Sequence, residues 1–336
     1  MVGAGPVRPV SPPGKPARVA AIDCGTNSLR LLVADVDPGT GRLTDVDRRM
    51  QIVRLGQGVD STGRLAPEAL ERTLGALRGY ARIIGELSAE AVRMVATSAT
   101  RDAANAADFV QGVTSVLGIE PEVLSGTDEA YLSFSGATAG FGAPPEPPGP
   151  YLVVDIGGGS TEFVAGDGQA ARDSGAAGVS AVSVDIGCVR LTERHLHSDP
   201  PRPAEIAAAA ADIDAALDVV AGSIPVTGTR TLVGLAGSVT TVAALALGLA
   251  EYDPARIHHT RIPVDQVTAQ LRLLLGQTRA ERAALGVMHP GRADVIAGGA
   301  IVLERIMRRF GFGEVLASEH DILDGIAGAL AAGVRR

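Results

Sequence analysis

Residues 153–164 read VVDIGGGSTEFV, an apolar run followed by three glycines and then Ser-Thr-Glu. Three consecutive glycines weaken any helix or strand that contains them, because glycine loses more backbone entropy on folding than other residues. Glycine also lets the main chain adopt positive φ and approach a ligand closely, so that successive amide groups converge on one anion. The stretch therefore predicts a β-hairpin whose turn binds phosphate through backbone N–H groups.

The same pattern occurs once more, in AIDCGTNSLRLLV at 21–33. Each copy contains an apolar strand, an aspartate, a turn with glycine, a serine and a second strand. At a constant offset of 132 positions, the matching residues are Asp23 with Asp155, Gly25 with Gly157, and Ser28 with Ser160. A single hairpin of this kind is more often an ordinary turn than a ligand site. Two copies half a chain apart predict turns that face each other and hold phosphate from both sides, with Asp155 and Glu162 placed to bind a divalent metal.

Composition limits the classes of protein and partner. The 336 residues are 46% hydrophobic, which predicts about two domains of ~150 residues with a sizeable core. A net charge of -8 argues against nucleic acid or an anionic membrane as a partner. The chain has two cysteines, its first residues lack the apolar region of a signal peptide, and no apolar run is long enough to span a bilayer. We therefore expect a cytoplasmic protein.

Strand and helix signals alternate along the chain and predict an α/β architecture with largely parallel sheets. The stretch GAPPEPPGP at 142–150 contains five prolines, which exclude a helix or a central strand. The predicted units are a disordered tail at 1–17, a domain at 18–142, a linker at 143–150 and a domain at 151–336, whose terminal helix can pack back on the first domain.

Seven motifs in order resemble the exopolyphosphatase/guanosine pentaphosphate phosphohydrolase family of the actin, sugar kinase and heat-shock protein 70 ATPase superfamily. They are AIDCGTNSLRLL, VATSATRDAAN (95–105), LSGTDEA (124–130), DIGGGSTE, GCVRLTE (187–193), GLAGSVTTVA (234–243) and RADVIAGG (292–299). The resemblance covers about residues 18–330. It implies two actin-like (ribonuclease H-like) domains with an active-site cleft between them.

The resemblance also implies roles for individual residues. Glu129 matches the catalytic glutamate that activates water, and Arg101 matches a phosphate-binding arginine. Asp23, Asp155 and Glu162 are the expected Mg²⁺ ligands. The expected phosphate-binding set is Cys24, Gly25, Thr26, Asn27, Ser28, Arg30, Arg101, Gly157, Gly158, Gly159, Ser160, Thr161, Gly187, Arg190, Gly237 and Ser238.

Several of these residues also have a structural interpretation. Thr127 can cap the helix that starts there, and Glu129 in its first turn favours the helix dipole, so only the resemblance favours catalysis. Cys24 and Cys188 are expected to be small buried apolar residues. We expect Arg292 and Asp294 to form a structural ion pair or to support the site from behind.

The implied function is Mg²⁺-dependent exopolyphosphatase activity. Relatives often carry S-x-x-G-L-R-E-G, whereas SEHDILDG at 318–325 places Leu323 at the arginine position, which puts one cationic contact in doubt. Longer relatives add C-terminal domains that are absent from this sequence, and the net charge is acidic, so we predict a preference for short polyphosphate. The alternatives are a guanosine pentaphosphate 5′-phosphohydrolase and a non-catalytic sensor of polyphosphate or an alarmone; a homodimer would extend a short anion groove.

Overall fold

The computed structural model describes residues 16–37, 40, 42–141, 147–168, 170–171 and 175–334. The strands are β1 Ala17–Cys24, β2 Ser28–Val36, β3 Leu43–Ile52, β4 Ala91–Ala96, β5 Glu122–Val123, β6 Tyr151–Ile156, β7 Thr161–Gly166, β8 Val179–Val184, β9 Thr231–Leu235, β10 Arg261–Pro263 and β11 Glu314–Ala317. The α-helices are α1 Val59–Thr62, α2 Pro67–Glu86, α3 Ser98–Asp102, α4 Ala106–Leu117, α5 Gly126–Thr138, α6 Cys188–His195, α7 Pro203–Ser223, α8 Ala236–Ala246, α9 Pro254–Ile257, α10 Val264–Gly276, α11 Arg279–Ala283, α12 Ile296–Phe310 and α13 Ile322–Val334. Short 3₁₀ helices occur at Gly175–Gly178, Val226–Gly228 and Pro290–Arg292.

Parts of the predicted tail and linker lie outside the described residues, namely 1–15 and 143–146. Where the tail prediction overlaps the structure it is wrong at one position, because Ala17 is already the first residue of β1. Residues 147–150 contain neither helix nor strand, and β6 follows at once. None of the helices in the described ranges is both long and apolar enough to cross a bilayer.

Two mixed sheets share one strand order. The first sheet runs β3-β2-β1-β4-β5, and the second runs β10-β11-β9-β6-β7-β8. Strands β6, β7, β8, β9 and β11 thus repeat β1, β2, β3, β4 and β5, with β10 added at the edge. The α/β prediction is confirmed, but largely parallel pairing is wrong. Antiparallel pairs are β1–β2, β2–β3, β6–β7, β7–β8 and β10–β11. The first four join strands that follow each other along the chain, and such neighbours can pair antiparallel without a crossover connection.

The two glycine turns are equivalent hairpin turns. The Gly25 amide donates to the Ser28 carbonyl at 2.9 Å, and the Gly157 amide donates to the Ser160 carbonyl at 3.0 Å. The internal repeat read from the sequence therefore corresponds to a repeat in three dimensions, with both turns at the same end of their strands.

Two helices cross between the sheets. Helix α5 packs on the second sheet, where Phe134 joins Tyr151 and Val164 in one apolar cluster. Helix α13 packs on the first sheet and against α5. The two helices approach closely at Gly136, where an added Cβ would lie 1.8 Å from the Asp321 carbonyl oxygen. We call β1–β5, α1–α4 and α13 the first-sheet side, and β6–β11 and α5–α12 the second-sheet side; the domain limits themselves remain a prediction.

Candidate active site

The two glycine turns contact each other. A Cβ on Gly158 would lie 2.9 Å from Thr26 Cβ, and a Cβ on Gly159 would lie 2.6 Å from Ser98 Oγ. Thr26 Oγ1 and Ser98 Oγ are themselves 2.9 Å apart and share a hydrogen bond. Side chains at these two glycines would force the turns apart, so the glycines are required for the turns to meet across the cleft.

A cavity of about 110 Å³ lies where the turns meet. The predicted residues that line it are Asp23, Gly25, Thr26, Asn27, Ser28, Arg30, Glu129, Asp155, Gly157, Gly158, Ser160, Gly237 and Ser238. Further lining residues are Met50, Ile52, Thr97, Ser98, Ile156, Cys188, Ala236, Arg292 and Ile322. The cavity therefore brings together both turns, the predicted catalytic glutamate and the predicted metal-binding aspartates.

Helix α6 holds the second glycine turn from behind. The Cys188 amide donates to the Gly157 carbonyl at 2.9 Å, and the Val189 amide donates to the Gly158 carbonyl at 2.8 Å. In a trans peptide the N–H points opposite to the C=O. Because these carbonyls point at the helix, the amides of Gly158 and Gly159 point away from it, and Gly158 lines the cavity. Donors aimed in this way are suited to phosphate oxygens.

Gly187 supports this turn and does not line the cavity. A Cβ on Gly187 would lie 2.2 Å from the Gly158 carbonyl oxygen. Gly187 belongs to the predicted phosphate-binding set, but the amides that follow it at the start of α6 donate to the turn itself. The reason is that the turn's carbonyls would otherwise be buried without a donor.

Other predicted binding residues also lie behind the cavity wall. Cys24 is 1% exposed in the apolar core of the first sheet, because it alternates with Asp23 along β1. Thr161 donates its hydroxyl to the Ile186 carbonyl at 2.8 Å. Arg190 binds carboxylates and the Gly159 carbonyl. Cys24, Thr161 and Arg190 therefore support the cavity wall from behind.

Glu129 lies in the first turn of α5 and is 8% exposed. Ser125, not Thr127, caps this helix, since its hydroxyl accepts from the Asp128 amide at 3.1 Å. Arg101 Nη1 lies 3.1 Å from Glu129 Oε2, so the predicted phosphate-binding arginine contacts the predicted base. Burial, together with the nearby Glu162 carboxylate, raises the pKa of Glu129 well above its usual value, while Arg101 opposes the rise.

The three predicted metal ligands have different partners. Asp155 Oδ2 accepts from the Ser133 hydroxyl at 2.8 Å, and Glu162 Oε1 accepts from Ser160 at 2.6 Å and Ser183 at 2.8 Å. Asp23 Oδ2 accepts from Arg30, and Asp23 Oδ1 is buried with no hydrogen-bond partner. In the described ranges no three His, Cys, Asp or Glu side chains form a group that could hold a metal.

The arrangement still fits a cation that phosphate helps to bind. Mg²⁺ commonly takes one or two carboxylates and completes its shell with phosphate oxygens and water. Asp155 and Asp23 line the cavity, and the free Oδ1 of Asp23 is a carboxylate oxygen in need of a partner. Glu162 lies outside the lining, where its carboxylate accepts the two serine hydroxyls.

All three of these carboxyl groups, including that of Asp23, have raised pKa values, and burial is the largest cause in each. Burial, aided by the Asp321 carboxylate, raises the pKa of Asp155 to about 6. Burial, aided by the Asp155 carboxylate, raises the pKa of Glu162 to about 7. The folded apoprotein therefore binds protons at these carboxyl groups more tightly than the unfolded chain does.

We expect Glu162→Gln to raise the melting temperature of the EDTA-treated protein at pH 8 and to leave it almost unchanged at pH 4. A raised folded-state pKa contributes stability that is complete below the unfolded pKa and is lost as the pH rises through about 7. The amide lacks the buried charge, and a shift of this size corresponds to roughly 3 kcal/mol. Thermal unfolding at both pH values measures the effect.

The exposed Glu251→Gln serves as the control and should shift the melting temperature equally little at both pH values. Equal changes at pH 4 and pH 8 for Glu162→Gln would show that its charge is not destabilising in the folded state.

Arg292 lies in the cavity wall, a position that was not predicted for it from the sequence. The expected ion pair with Asp294 is wrong, because Asp294 pairs with Arg54 at 2.8 Å. Arg292 donates to the Thr241 hydroxyl at 2.7 Å, and no ion pair of the described residues includes it. Its guanidinium packs over Gly237, where a Cβ would lie 2.2 Å from Cζ. A partly buried cation without a carboxylate partner, in a cavity wall, is suited to an anionic ligand.

A second pocket of about 360 Å³ adjoins the cavity and shares Arg30 and Arg292 with it. Leu323 borders this pocket at the position where arginine is common in the family pattern. Arg48 supplies a guanidinium to the same pocket and pairs with Asp324 at 2.7 Å. The apolar part of its wall is formed by Met50, Tyr252, Val287, Met288 and Leu323.

Comparison with known proteins gives consistent likenesses. A model described as the Ppx/GppA phosphatase family matches residues 32–327. Exopolyphosphatase 2 of Mycobacterium tuberculosis is 50% identical over 325 residues, covering 94% of this chain and 98% of that protein. A crystal structure of an exopolyphosphatase-like protein is 44% identical with a TM-score of 0.87 and covers 94% of this chain and 98% of its own. The Aquifex aeolicus Ppx/GppA family member is 30% identical with a TM-score of 0.77, covering 95% and 98%.

Proposed function

The chain belongs to the Ppx/GppA phosphatase family, and from this premise we propose that it is an exopolyphosphatase, which hydrolyses the terminal phosphoanhydride bond of inorganic polyphosphate. Its two sheets are those of the two-domain actin-like fold. The observation that carries the proposal is the placement of Glu129 opposite two facing glycine turns in one cavity. The name and 50% identity of the Mycobacterium tuberculosis relative support the same activity.

The cavity binds the end of the phosphate chain through fixed donors. The amides of Gly158 and Gly159 point away from α6, and Gly158, Arg30 and Arg292 line the cavity. Because the amides are already held by the helix behind them, they need not reorganise when charge develops on the phosphoryl oxygens. The terminal phosphoryl group therefore binds where Glu129 can reach the attacking water.

Glu129 acts as the base. Its carboxylate orients the attacking water and accepts a proton from it, and Arg101 holds the carboxylate in place. The raised pKa makes Glu129 a stronger base than an exposed glutamate. The water oxygen bonds to the terminal phosphorus, the bridging oxygen leaves with the shortened chain, and inorganic phosphate is released.

Asp155 and Asp23 are the residues that would hold the divalent cation, which we propose to be Mg²⁺. When bound, it neutralises charge on the phosphate oxygens. Glu162 lies behind the site, where the hydroxyl groups of Ser160 and Ser183 hold its carboxyl group.

A second candidate substrate is guanosine pentaphosphate. The adjoining pocket of about 360 Å³ favours it, because its mixed apolar and arginine wall can receive a nucleoside while the phosphates stay at Arg30 and Arg292. A non-catalytic sensor is less well supported, since a binding protein needs no buried carboxylate held beside the phosphate turns.

The test is phosphate release from polyphosphates of defined length and from guanosine pentaphosphate, with and without Mg²⁺. We expect turnover of polyphosphate and a higher kcat/KM for chains of a few phosphates than for chains of hundreds. The cations that face the cavity and its pocket are a few arginines on a protein of net charge -8, which would repel the distant part of a long polyanion.

Faster turnover of the longest chains would refute the length preference. Cleavage of guanosine pentaphosphate alone would replace the main proposal with the second candidate. Binding of either ligand without phosphate release would favour the sensor.

A further inference from the structure

Arg190 connects the two sides of the cleft. It belongs to α6 on the second-sheet side, and its side chain is 11% exposed. Its Nη1 lies 2.6 Å from Asp60 Oδ1, and its Nη2 lies 2.5 Å from Asp102 Oδ2. Both aspartates belong to the first-sheet side. Each arm of one guanidinium fork thus engages a different carboxylate across the cleft.

The third guanidinium nitrogen of Arg190 contacts the phosphate turn. Its Nε donates to the Gly159 carbonyl at 2.6 Å. Arg190 therefore fixes the last glycine of the turn to the same two aspartates. Asp102 directly follows Arg101, which contacts Glu129. One side chain thus links the phosphate turn to the short helix that holds the base in place.

Neighbouring charges strengthen the connection at Asp60. Arg194, one turn further along α6, binds Asp60 through Nε at 2.7 Å and Nη2 at 2.8 Å. The Gly58 amide donates to Glu193 at 3.2 Å. Asp60 lies in the four-residue helix α1, between Gly58 at φ 75° and Gly63 at φ 64°. Because α1 is short and has a glycine at each end, its backbone alone does not fix its position. The contacts with Arg190, Glu193 and Arg194 therefore hold α1 against α6.

We propose that Arg190, with Asp60 and Asp102, forms a clasp that positions the phosphate turn against the Arg101–Glu129 pair, so that Arg190 is a positioning residue for the reaction. The proposal rests on the proposed function for its kinetic part only. The clasp is not a phosphate site, because each of the three guanidinium nitrogens of Arg190 already donates to an acceptor within the protein. It accounts for a charged cluster that the hydrolytic step itself does not use.

The test combines hydrogen exchange with kinetics. Arg190→Gln removes the charge, Arg190→Lys keeps the charge without the fork, and Asp102→Asn removes the negative charge of one acceptor. The matched control is Arg305→Gln, which breaks an ion pair with Asp214 between α12 and α7 on the second-sheet side. Exchange of the ligand-free protein is followed in peptides that cover 58–62 and 157–160.

We expect Arg190→Gln to speed exchange at both segments and to lower kcat about 10- to 100-fold, as misplacement of a site by roughly 1 Å can do. KM should change less than kcat, and Arg190→Lys should recover part of the loss. The double variant Arg190→Gln/Asp102→Asn should be no slower than Arg190→Gln alone, because both changes break the same contact. Arg305→Gln should match the wild type in kcat and in exchange at both segments.

Unchanged exchange at 157–160 in Arg190→Gln, or losses of the two single variants that multiply in the double variant, would overturn the clasp. The exchange result stands apart from catalysis. If the wild type releases no phosphate from polyphosphate, the proposed function fails, while exchange at the two segments still decides whether the clasp exists.

Discussion

Glu129→Gln is expected to lower kcat for polyphosphate by about 10²- to 10⁴-fold, the usual contribution of a general base, while the protein stays folded and binds the substrate. Glutamine has the same shape and can still accept from Arg101, but it cannot take a proton from water. The native residue is buried beside Arg101 and has a raised pKa. Removing a buried carboxylate also relieves its desolvation, so stability should not fall.

Phosphate release at saturating polyphosphate measures the loss, and equilibrium binding of the same polymer shows whether the site is intact. The exposed Glu120→Gln, in the loop between α4 and β5, is the control and should retain full activity. A Glu129→Gln enzyme within threefold of the wild type would mean that another group activates the water.

Gly187→Ala is expected to cost about 10²-fold or more in kcat/KM, comparable with the loss of an aligned backbone donor. The added Cβ would lie 2.2 Å from the Gly158 carbonyl oxygen and 2.5 Å from the Gly159 carbonyl carbon. Both neighbours are backbone atoms and cannot rotate away. The turn must move, and its amides then lose their aim at the phosphoryl group.

The control is Gly222→Ala near the end of α7, where an added Cβ meets nothing within 4 Å. That variant should be as active as the wild type and slightly more stable, since alanine favours a helix over glycine by up to about 1 kcal/mol. Circular dichroism and steady-state kinetics of both variants separate the two effects. If Gly187→Ala keeps its kcat/KM, the turn does not depend on support from α6.

The facing hairpins were predictable because their signal is local. An aspartate, a glycine turn and a serine between apolar strands occur twice, and both copies fold into the same turn with the same backbone hydrogen bond. The prediction of two actin-like domains, which came from the ordered motifs, is confirmed by the strand order and the structural relatives.

Contacts between residues that are far apart in the sequence could not be predicted from local patterns. Arg190 has the pattern of a residue near a phosphate loop, yet its acceptors lie 130 and 88 positions earlier. Arg292 stands two residues from Asp294, but neighbours at that spacing do not face each other on a helical turn. The crossing of α5 and α13 depends on close approach at Gly136, for which the sequence offers only a glycine.

The paired strands of the two hairpins also differ in what they place opposite each aspartate. In the first copy Asp23 is opposite Arg30, and in the second Asp155 is opposite Glu162. The two hairpins therefore differ in charge. The first places an arginine opposite its aspartate, whereas the second places two acidic residues opposite each other. We therefore expect a polyphosphate end to bind in one orientation, so that the attacking water approaches the terminal phosphorus from one side.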